Sequence, residues 1–207
     1  MLIIGHRGAA GLAPENTRSS FIKAIEANVD MIETDLRLLN GQIVLSHDKP
    51  KAGSQHMTLV ELLTMANRPL NLEIKEVGFE EQLLKQIHGF AHKVLITSYN
   101  LLTLKKIRAL DTNIQLGPVV GRYYGFFLPL VTRQLKKLNV SAITIDVSLI
   151  DESSMSEYQS LGWQVYAFTN DDPKIFNDPE FYRHLKNLGV AGIFTDYPNI
   201  VSKFKDI

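Results

Sequence analysis

Short apolar segments alternate with longer amphipathic segments along the chain, and this alternation constrains the fold more than any other feature. Segments such as Val94-Leu95-Ile96-Thr97 and Ala142-Ile143-Thr144-Ile145 are rich in β-branched residues and almost continuously apolar. Strands with this composition are buried on both faces, as in a parallel sheet that helices cover. The pattern therefore predicts an α/β protein in which strands and helices follow one another in turn.

Eight strand–helix pairs are predicted from this pattern. The predicted strands are residues 1–5, 29–35, 70–74, 94–97, 113–117, 141–146, 163–169 and 191–195. The predicted helices are residues 16–27, 58–66, 79–89, 101–110, 126–138, 151–161, 173–188 and 197–205. Candidate helix caps are Asn16 or Thr17, Asn100 and Asp151 at amino ends, and Gly162 and Gly189 after carboxyl ends. Eight alternations predict a closed (β/α)8 TIM barrel, with a doubly wound open sheet as the alternative.

One additional element interrupts the alternation. The apolar run Gln42-Ile43-Val44-Leu45-Ser46 follows the dipeptide Asn40-Gly41, which favours a tight turn between antiparallel strands. The sequence therefore predicts a short hairpin over residues 36–46, directly after the second strand.

Composition limits the class of protein. A chain of 207 residues with 45% hydrophobic residues predicts one domain, residues 1–207. Lysine and arginine balance aspartate and glutamate at 22 each, which gives no basic surface for nucleic acid. Cysteine is absent, which excludes disulfides and thiolate metal sites. The sequence has no apolar run of roughly 20 residues that could span a membrane and no signal peptide pattern, and we predict a cytoplasmic protein.

Three carboxylates are placed by the predicted strands to meet at one barrel rim. Glu33 and Asp35 lie two residues apart on the second strand and therefore share a face, and Glu73 and Lys75 repeat this spacing on the third strand. Such carboxylates repel one another unless a cation neutralises them. Ligands that are all oxygen favour Mg²⁺ or Ca²⁺. The alternative is that these are surface carboxylates paired with neighbouring lysines and arginines.

Two histidines and two cations accompany the carboxylates. His6 follows the first strand and His47 follows the hairpin, and histidine is the usual group for proton transfer near neutral pH. Arg7 and Lys75 would place positive charge beside a metal ion, which is an arrangement suited to a phosphoryl group. The remaining histidines lie away from the carboxylates in the predicted fold and are interpreted as structural. These are His56, His88, His92 and His184.

Together these residues resemble the glycerophosphodiester phosphodiesterase family. The family's ordered motifs occur here as His6-Arg7-Gly8, Pro14-Glu15-Asn16-Thr17, Glu33-Thr34-Asp35, His47-Asp48, Glu73-Ile74-Lys75 and Thr195-Asp196-Tyr197-Pro198. The pair Ser98-Tyr99 resembles the family's serine–aromatic pair, and residues 163–170 resemble its aromatic strand ending in asparagine. Each motif alone is weakly specific, but the ordered set spans essentially the whole chain.

The resemblance implies a (β/α)8 barrel that hydrolyses a small-molecule glycerophosphodiester to glycerol phosphate and an alcohol. It implies that His6 and His47 are the general acid and base. It implies one divalent cation, Mg²⁺ or Ca²⁺, as cofactor. The implied metal ligands are Glu33, Asp35 and Glu73; the implied phosphate-binding residues are Arg7 and Lys75; Tyr99 and Trp163 would line the pocket. Glu15 and Asn16 would brace the first loop, with Asn16 also capping a helix.

The chain departs from the family pattern after His47-Asp48. Family members usually carry a longer insertion there that caps the glycerol, whereas only residues 49–57 precede the segment Thr58-Leu59-Val60-Glu61. We therefore predict a reduced cap and a more open pocket. The hypothesis that follows is a broader range of alcohol groups, extending to lysophospholipids.

The apolar run of residues 123–131 has two interpretations. It predicts the start of the fifth barrel helix, or a weak contact with a membrane or an acyl chain. The alternatives to glycerophosphodiester hydrolysis are a lysophospholipase D-type activity at the same site and a barrel that binds a phosphorylated ligand without cleaving it. A metal-dependent isomerase or aldolase would leave the two histidines without a role. No oligomeric state is predicted.

Overall fold

The computed structural model describes residues 1–169 and 178–205. Strands and helices alternate along them. The strands are β1 (Leu2–Gly5), β2 (Met31–Leu39), β3 (Gln42–Leu45), β4 (Leu70–Ile74), β5 (Val94–Ser98), β6 (Gln115–Val120), β7 (Ala142–Asp146), β8 (Gln164–Phe168) and β9 (Gly192–Thr195). The helices are α1 (Arg18–Glu26), α2 (Leu59–Met65), α3 (Glu80–Ile87), α4 (Leu101–Leu110), α5 (Leu128–Lys137), α6 (Glu152–Ser160), α7 (Pro179–Asn187) and α8 (Pro198–Val201).

All the strands except β3 form a closed parallel barrel. Each pairs with its neighbour in the order β1, β2, β4, β5, β6, β7, β8, β9, and β1 also pairs with β9, which closes the ring. The closure confirms the predicted (β/α)8 barrel and excludes the open sheet. In such a barrel the carboxyl ends of the strands meet at one face, and the loops at that face carry the chemistry.

The predicted hairpin is formed by β2 and β3, which pair in antiparallel register. Asn40 and Gly41 connect them with φ angles of 50° and 78°, the left-handed conformation that a tight hairpin turn requires. After β3, the amide of Ser46 donates to the carbonyl of Asp35 at 3.0 Å. The hairpin therefore returns the chain to the carboxyl end of β2, and His47 follows directly at the barrel mouth.

A short loop occupies the position where the chain's departure from the family pattern predicts a reduced cap. Residues 49–57 contain neither helix nor strand. The loop ends where the amide of Leu45 donates to the carbonyl of Met57 at 2.8 Å. Helix α2 begins immediately afterwards, because Thr58 and Glu61 form a capping box that satisfies amides of its first turn.

The apolar interior has two parts. The larger cluster lies between the strands and the surrounding helices, and it includes fully buried side chains such as Phe21, Leu62 and Leu83. A smaller cluster unites side chains from β1, β2, β5, β7, β8 and β9, and therefore fills the barrel itself; its members are Ile4, Met31, Leu95, Ala142, Tyr166 and Phe194. The ring of Phe194 contacts the ring of His6 edge to face, with centroids 6.4 Å apart. The packed barrel interior thus borders the face formed by the carboxyl ends of the strands.

Most of the predicted helix caps are confirmed. Asn100 and Asp151 accept hydrogen bonds from the first turns of α4 and α6, as predicted. The predicted capping role of Asn16 is wrong: Thr17 is the N-cap of α1 and forms a capping box with Ser20. Asn16 is displaced from this role because its side chain contacts β2 instead.

The apolar run of residues 123–131 contains the start of a helix, as one interpretation predicted. Residues 122–127 form 3₁₀ turns, and α5 begins at Leu128, which is buried. Tyr123 and Leu130, by contrast, are 87% and 72% exposed. Neither residues 1–169 nor residues 178–205 contain a helix that is long and apolar enough to cross a bilayer.

Two predictions concern residues outside the described part of the chain. Asn170, the end of the predicted aromatic strand, lies outside it. So do residues 173–177 of the predicted seventh helix, of which the described part is Pro179–Asn187.

Candidate active site

The turn after β1 supports one wall of the site. Arg7 and Gly8 adopt left-handed φ angles of 47° and 86°. This conformation directs the amide of Arg7 to Oε2 of Glu33 at 2.8 Å and the amide of Gly8 to the carbonyl of Glu33. A Cβ at Gly8 would lie 2.5 Å from Oγ of Ser20 and 2.7 Å from the carbonyl carbon of Ser20. Only glycine allows the turn to approach α1 this closely.

His6 is fixed by an aspartate from the other end of the chain. Its Nδ1 lies 2.7 Å from Oδ1 of Asp196, which follows β9. Burial lowers the pKa of His6, but the hydrogen bond to Asp196 and the negative charge of Glu33 raise it, and the net pKa lies above the ordinary histidine value. Because Nδ1 is engaged, Nε2 is the ring nitrogen left for proton transfer.

His47 reaches the same pocket from the loop after β3. Its backbone carbonyl accepts a hydrogen bond from Nε of Arg37 at 2.9 Å, which holds the loop against β2. Its Nδ1 lies 3.0 Å from Oδ1 of Asp48, but this carboxylate is 96% exposed and the His47 side chain is 39% exposed. The two histidines therefore occupy different environments: His6 is partly buried beside a partly buried carboxylate, and His47 lies at the solvent edge.

The three predicted carboxylates converge. One oxygen from each of Glu33, Asp35 and Glu73 lies within 4.8 Å of the others, and all three residues are almost completely buried. Burial, reinforced by the charge of Asp35, raises the pKa of Glu33 to about 8. Burial also raises the pKa of Glu73, although Lys75 opposes the change. A buried acidic cluster of this kind can hold a metal ion, because a cation removes the repulsion that shifts these pKa values.

Asp35 is the centre of the charged network. Its Oδ1 lies 3.0 Å from Nζ of Lys75, and its Oδ2 lies 3.3 Å from Nε of Arg7. Burial raises the pKa of Asp35, but Lys75 and Arg7 lower it more, and the net pKa lies below the ordinary aspartate value. Lys75 also contacts Glu73, with Nζ 2.6 Å from Oε1. The two predicted phosphate-binding cations are therefore anchored by two of the three carboxylates.

Glu15 and Asn16 support this network from the first loop, where the sequence placed them. Glu15 Oε2 accepts from Nη1 of Arg7 at 2.5 Å. Asn16 is buried with a left-handed φ of 57°, and its Nδ2 donates to Oδ2 of Asp35 at 3.0 Å. Its Oδ1 accepts from the hydroxyl of Thr34 at 2.7 Å. The loop thereby fixes both Arg7 and the second strand.

These groups surround one pocket of about 230 Å³ at the carboxyl ends of the strands. The pocket is lined by both histidines, by Arg7 and Lys75, and by the carboxylates of Glu33 and Glu73. Tyr99 stands at its rim and is half exposed, with its ring centroid 5.6 Å from Nζ of Lys75. The structure therefore brings Tyr99 to the pocket, as the sequence predicted.

The prediction for Trp163 is wrong. Trp163 precedes β8, so it lies at the amino end of that strand, opposite the catalytic face. Its ring is buried and stacks on Tyr158 of α6, with centroids 6.3 Å apart. The residues that reach the pocket from β8 are Phe168 and Thr169, at the other end of the strand.

Sequence reasoning assigned no role to several pocket residues. Asn71 lines the pocket two residues before Glu73, and the period of two along a strand could have identified it. Its Oδ1 accepts from the hydroxyl of Thr97 at 2.7 Å. Asp196 belongs to the Thr195-Asp196-Tyr197-Pro198 motif, but the sequence indicates no role for it. Its contact with His6 joins residues 190 positions apart, so no local pattern reveals it.

Comparison with known proteins identifies the family. The sequence profile of the glycerophosphoryl diester phosphodiesterase family matches residues 6–76 and 59–200. The chain belongs to this family. Family membership confirms the predicted resemblance and the predicted enzyme class, a phosphoric diester hydrolase.

Two relatives of this chain from Bacillus subtilis align with almost its full length. YhdW of Bacillus subtilis is 26% identical over 98% of this chain and 97% of that protein. A glycerophosphodiester phosphodiesterase of the same organism is 23% identical over 99% of this chain and 86% of that protein.

Solved structures share the fold. An Oleispira antarctica phosphodiesterase, determined in complex with the product sn-glycerol-3-phosphate, matches with a TM-score of 0.84 at 24% identity, covering 100% of this chain and 97% of that one. The glycerophosphodiester phosphodiesterase of Thermotoga maritima matches with a TM-score of 0.82 at 21% identity, covering 99% of this chain and 98% of that one. Both comparisons support the barrel described above.

Proposed function

We propose that this chain hydrolyses glycerophosphodiesters to sn-glycerol 3-phosphate and an alcohol, with one bound divalent cation and two histidines as general acid and base. The observation that carries the proposal is the convergence of His6, His47 and three buried carboxylates at one pocket. The glycerol 3-phosphate in the Oleispira antarctica relative supports the choice of substrate.

The proposed metal ligands are Glu33, Asp35 and Glu73. They fit a divalent cation because their oxygens lie within 4.8 Å of one another and because burial and the charge of Asp35 raise the pKa of Glu33, a destabilisation that a cation would relieve. Donors that are all oxygen favour Mg²⁺ or Ca²⁺ over softer metals. When bound, the cation polarises a phosphoryl oxygen as a Lewis acid.

Arg7 and Lys75 hold the phosphate in this proposal. Both line the pocket, and both are oriented by ion pairs with carboxylates, Arg7 with Glu15 and Lys75 with Asp35. A guanidinium and an ammonium can each donate hydrogen bonds to phosphoryl oxygens, and their charges favour a transition state with more negative charge on those oxygens.

The two imidazoles move the protons. One removes the proton from the attacking hydroxyl, and the other gives a proton to the oxygen of the leaving alcohol, so that the P–O bond breaks without forming a free alkoxide. The attacking hydroxyl is water, or it is the glycerol hydroxyl next to the phosphate, which forms a cyclic phosphate that water then opens to glycerol 3-phosphate. Both routes need the same pair of imidazoles. Nε2 of His6 is available for this role because Nδ1 is bound to Asp196.

The proposal treats residues 1–207 as one catalytic domain, because the barrel strands extend from Leu2 to Thr195. A location in the cytoplasm stays a prediction.

The direct test is release of glycerol 3-phosphate. Purified protein with Mg²⁺ or Ca²⁺ should release it from glycerophosphocholine or glycerophosphoethanolamine, and chelation should abolish the release until the metal is restored. A coupled dehydrogenase assay measures the product. Tight calorimetric binding of either substrate without turnover under any divalent metal would contradict the proposal and favour a barrel that only binds.

Replacement of Asp196 by asparagine should lower kcat by about 10–10² with little change in KM, because an amide no longer fixes the productive tautomer of His6. Asp196 raises the pKa of His6. The limb of the pH–rate profile that reports His6 should therefore move to lower pH, which a purely structural role would not produce.

Asp48→Asn is the matched control, since Asp48 makes the equivalent contact to His47 but is 96% exposed. We expect less than about threefold change in kcat from this variant, because water replaces an exposed partner at little cost. Equal effects of the two substitutions would contradict the positioning role of Asp196.

A further inference from the structure

His47 is carried by the β2–β3 hairpin, and its backbone is held on both sides. The amide of Ser46 donates to the carbonyl of Asp35 at 3.0 Å, and the hydroxyl of Ser46 donates to the carbonyl of Asp48 at 2.8 Å. Between these contacts, Nε of Arg37 donates to the carbonyl of His47 at 2.9 Å. The imidazole itself contacts the carboxylate of Asp48, which is 96% exposed. Because an exposed partner constrains a side chain weakly, the backbone contacts set the position of His47.

Arg37 continues the row of charged residues on β2. Glu33, Asp35 and Arg37 are spaced by two along the strand, and this spacing places them on the same side of it. The pairing of β2 with β4 ends at Leu36, and beyond this residue β2 continues as one arm of the hairpin. The guanidinium therefore lies where the hairpin leaves the barrel, next to the loop that carries His47.

Glu76 holds Arg37 from the end of the neighbouring barrel strand. Nη1 of Arg37 lies 3.6 Å from Oε2 of Glu76, and Oε1 of Glu76 accepts from the amide of Leu38 at 2.7 Å. One carboxylate thus orients the guanidinium and holds the hairpin arm. Glu76 also follows Lys75 directly in the chain. Two side chains therefore join the carbonyl of His47 to the residue beside Lys75, which lines the same pocket as His47.

The chemistry of the two side chains suits a rigid link. A guanidinium donates from several nitrogens in one plane, so Arg37 can serve the carbonyl of His47 and the carboxylate of Glu76 together. The side chains of Arg37 and Glu76 are only 18% and 31% exposed, and salt screens a partly buried pair less than a surface pair. Within the described residues, neither of them lines the catalytic pocket, so both act through His47.

We propose that Arg37 and Glu76 are positioning residues that set the place of His47 relative to Lys75. This inference rests on the proposed function, because the proton transfer by His47 is the step that the two residues serve. A displacement of about 1 Å in a reacting group can lower a rate by about 10². His6, by contrast, follows a barrel strand directly and is held through a ring nitrogen. The two histidines are thus positioned by different means, one through its side chain and one through its backbone.

Replacing Arg37 tests the proposal. Arg37→Ala should lower kcat for glycerophosphocholine by about 10–10² and leave KM within about threefold, because Arg37 acts on a proton-transfer group and not on the substrate. Unchanged kcat in this variant would overturn the inference, whereas absence of turnover in wild type would contradict the proposed function itself. If Arg37→Ala folds poorly, Arg37→Lys is measured instead. Lysine lacks the planar fork and cannot serve both partners, so kcat should again fall.

Replacing Glu76 tests the second half of the link. Glutamine keeps an acceptor for the amide of Leu38 but loses the charge that orients the guanidinium of Arg37. Glu76→Gln should therefore lower kcat by about three- to tenfold, which is less than the effect of Arg37→Ala. A kcat equal to that of wild type would remove Glu76 from the proposal.

Arg68→Ala is the matched control for Arg37→Ala. The guanidinium of Arg68 also donates to a backbone carbonyl, that of Val29, but Arg68 precedes β4 and therefore lies at the opposite end of the barrel. Its loss should lower the melting temperature and leave kcat within about twofold. Equal losses of kcat in the two variants would reduce the effect of Arg37 to general stability and overturn the inference.

A double-variant cycle locates the effect at His47. Because Arg37 acts through this imidazole, Arg37→Ala should change the residual kcat of His47→Ala by less than about twofold. A further loss as large as the one in the wild-type background would contradict the inference. The rise in melting temperature on addition of Mg²⁺ or Ca²⁺ should be the same in Arg37→Ala as in wild type. Loss of that rise would place the effect of Arg37 on the carboxylates and overturn the assignment.

Discussion

Replacing His6 or His47 by alanine is expected to lower kcat by about 10²–10⁴, the usual contribution of a positioned acid or base. Both imidazoles line the pocket together with the carboxylates of Glu33 and Glu73, so each loss should affect the chemical step more than substrate binding. The double variant should be little worse than the more damaging single one, because a base without its acid no longer completes the reaction. Steady-state kinetics with glycerophosphocholine measure all three variants.

His184→Ala is the control for this experiment. His184 lies exposed on α7, away from the pocket, and its loss should leave kcat unchanged. Melting temperatures should stay close to wild type in the His6 and His47 variants, since neither side chain belongs to the apolar clusters. Retention of more than about a tenth of wild-type kcat by His47→Ala would show that another group transfers the proton.

Replacing Glu33 by glutamine should have opposite effects on catalysis and on the stability of the metal-free protein. At limiting Mg²⁺ or Ca²⁺ we expect kcat/KM to fall by about 10² or more, because a charged ligand is lost. In chelator, however, the variant should melt at a higher temperature than wild type. Glutamine keeps an acceptor for the amide of Arg7 and removes a buried carboxylate whose pKa is raised to about 8.

The stability of the metal-free wild-type protein should decrease as pH rises. In chelator, folded Glu33 holds its proton until the pH reaches about 8, whereas the unfolded residue loses it near 4.5. Proton release on unfolding therefore favours the unfolded state increasingly as pH rises through this window, and the melting temperature of wild type should fall. Glu33→Gln should flatten that dependence. Glu157→Gln, at an exposed position of α6, is the control and should follow wild type.

Metal addition completes the comparison. A cation present at about 100 times its Kd stabilises the folded state by about 2.7 kcal/mol, which corresponds to roughly 5–10 °C for a chain of this length. Wild type should show this rise, and Glu33→Gln should lose most of it. An equal rise in both proteins would place the metal outside the carboxylate cluster. Differential scanning fluorimetry across pH, with chelator and with each metal, measures these outcomes.

The barrel and the convergence of the charged groups could be predicted from local patterns. Continuous apolar β-branched runs occur where strands are covered on both faces, and eight of them alternate with helices. The period of two places Glu33 and Asp35 on one side of β2, and parallel strands present their carboxyl ends at one rim. Asn40-Gly41 determined the hairpin, since its turn geometry depends only on neighbouring residues.

Other features depend on packing between distant segments. The aromatic strand β8 drew attention to Trp163, but the end of the strand that faces the pocket is the one that carries Phe168, and Trp163 instead packs under α6. Asn16 and Thr17 are both good N-cap residues, and only the position of Asp35 beside the first loop assigned Asn16 to β2 and the cap to Thr17.

The sequence by itself therefore determined the order of strands and helices, the hairpin and the set of charged groups that meet at the barrel mouth. These features depend on local periodicity and strand direction, which neighbouring residues set. The tertiary structure alone decided that Asp196 holds His6, that Lys75 and Arg7 share Asp35, and that Arg37 joins His47 to Glu76. These contacts join residues from separate strands and loops, and their distances follow from how the closed barrel packs against its helices rather than from any spacing along the chain.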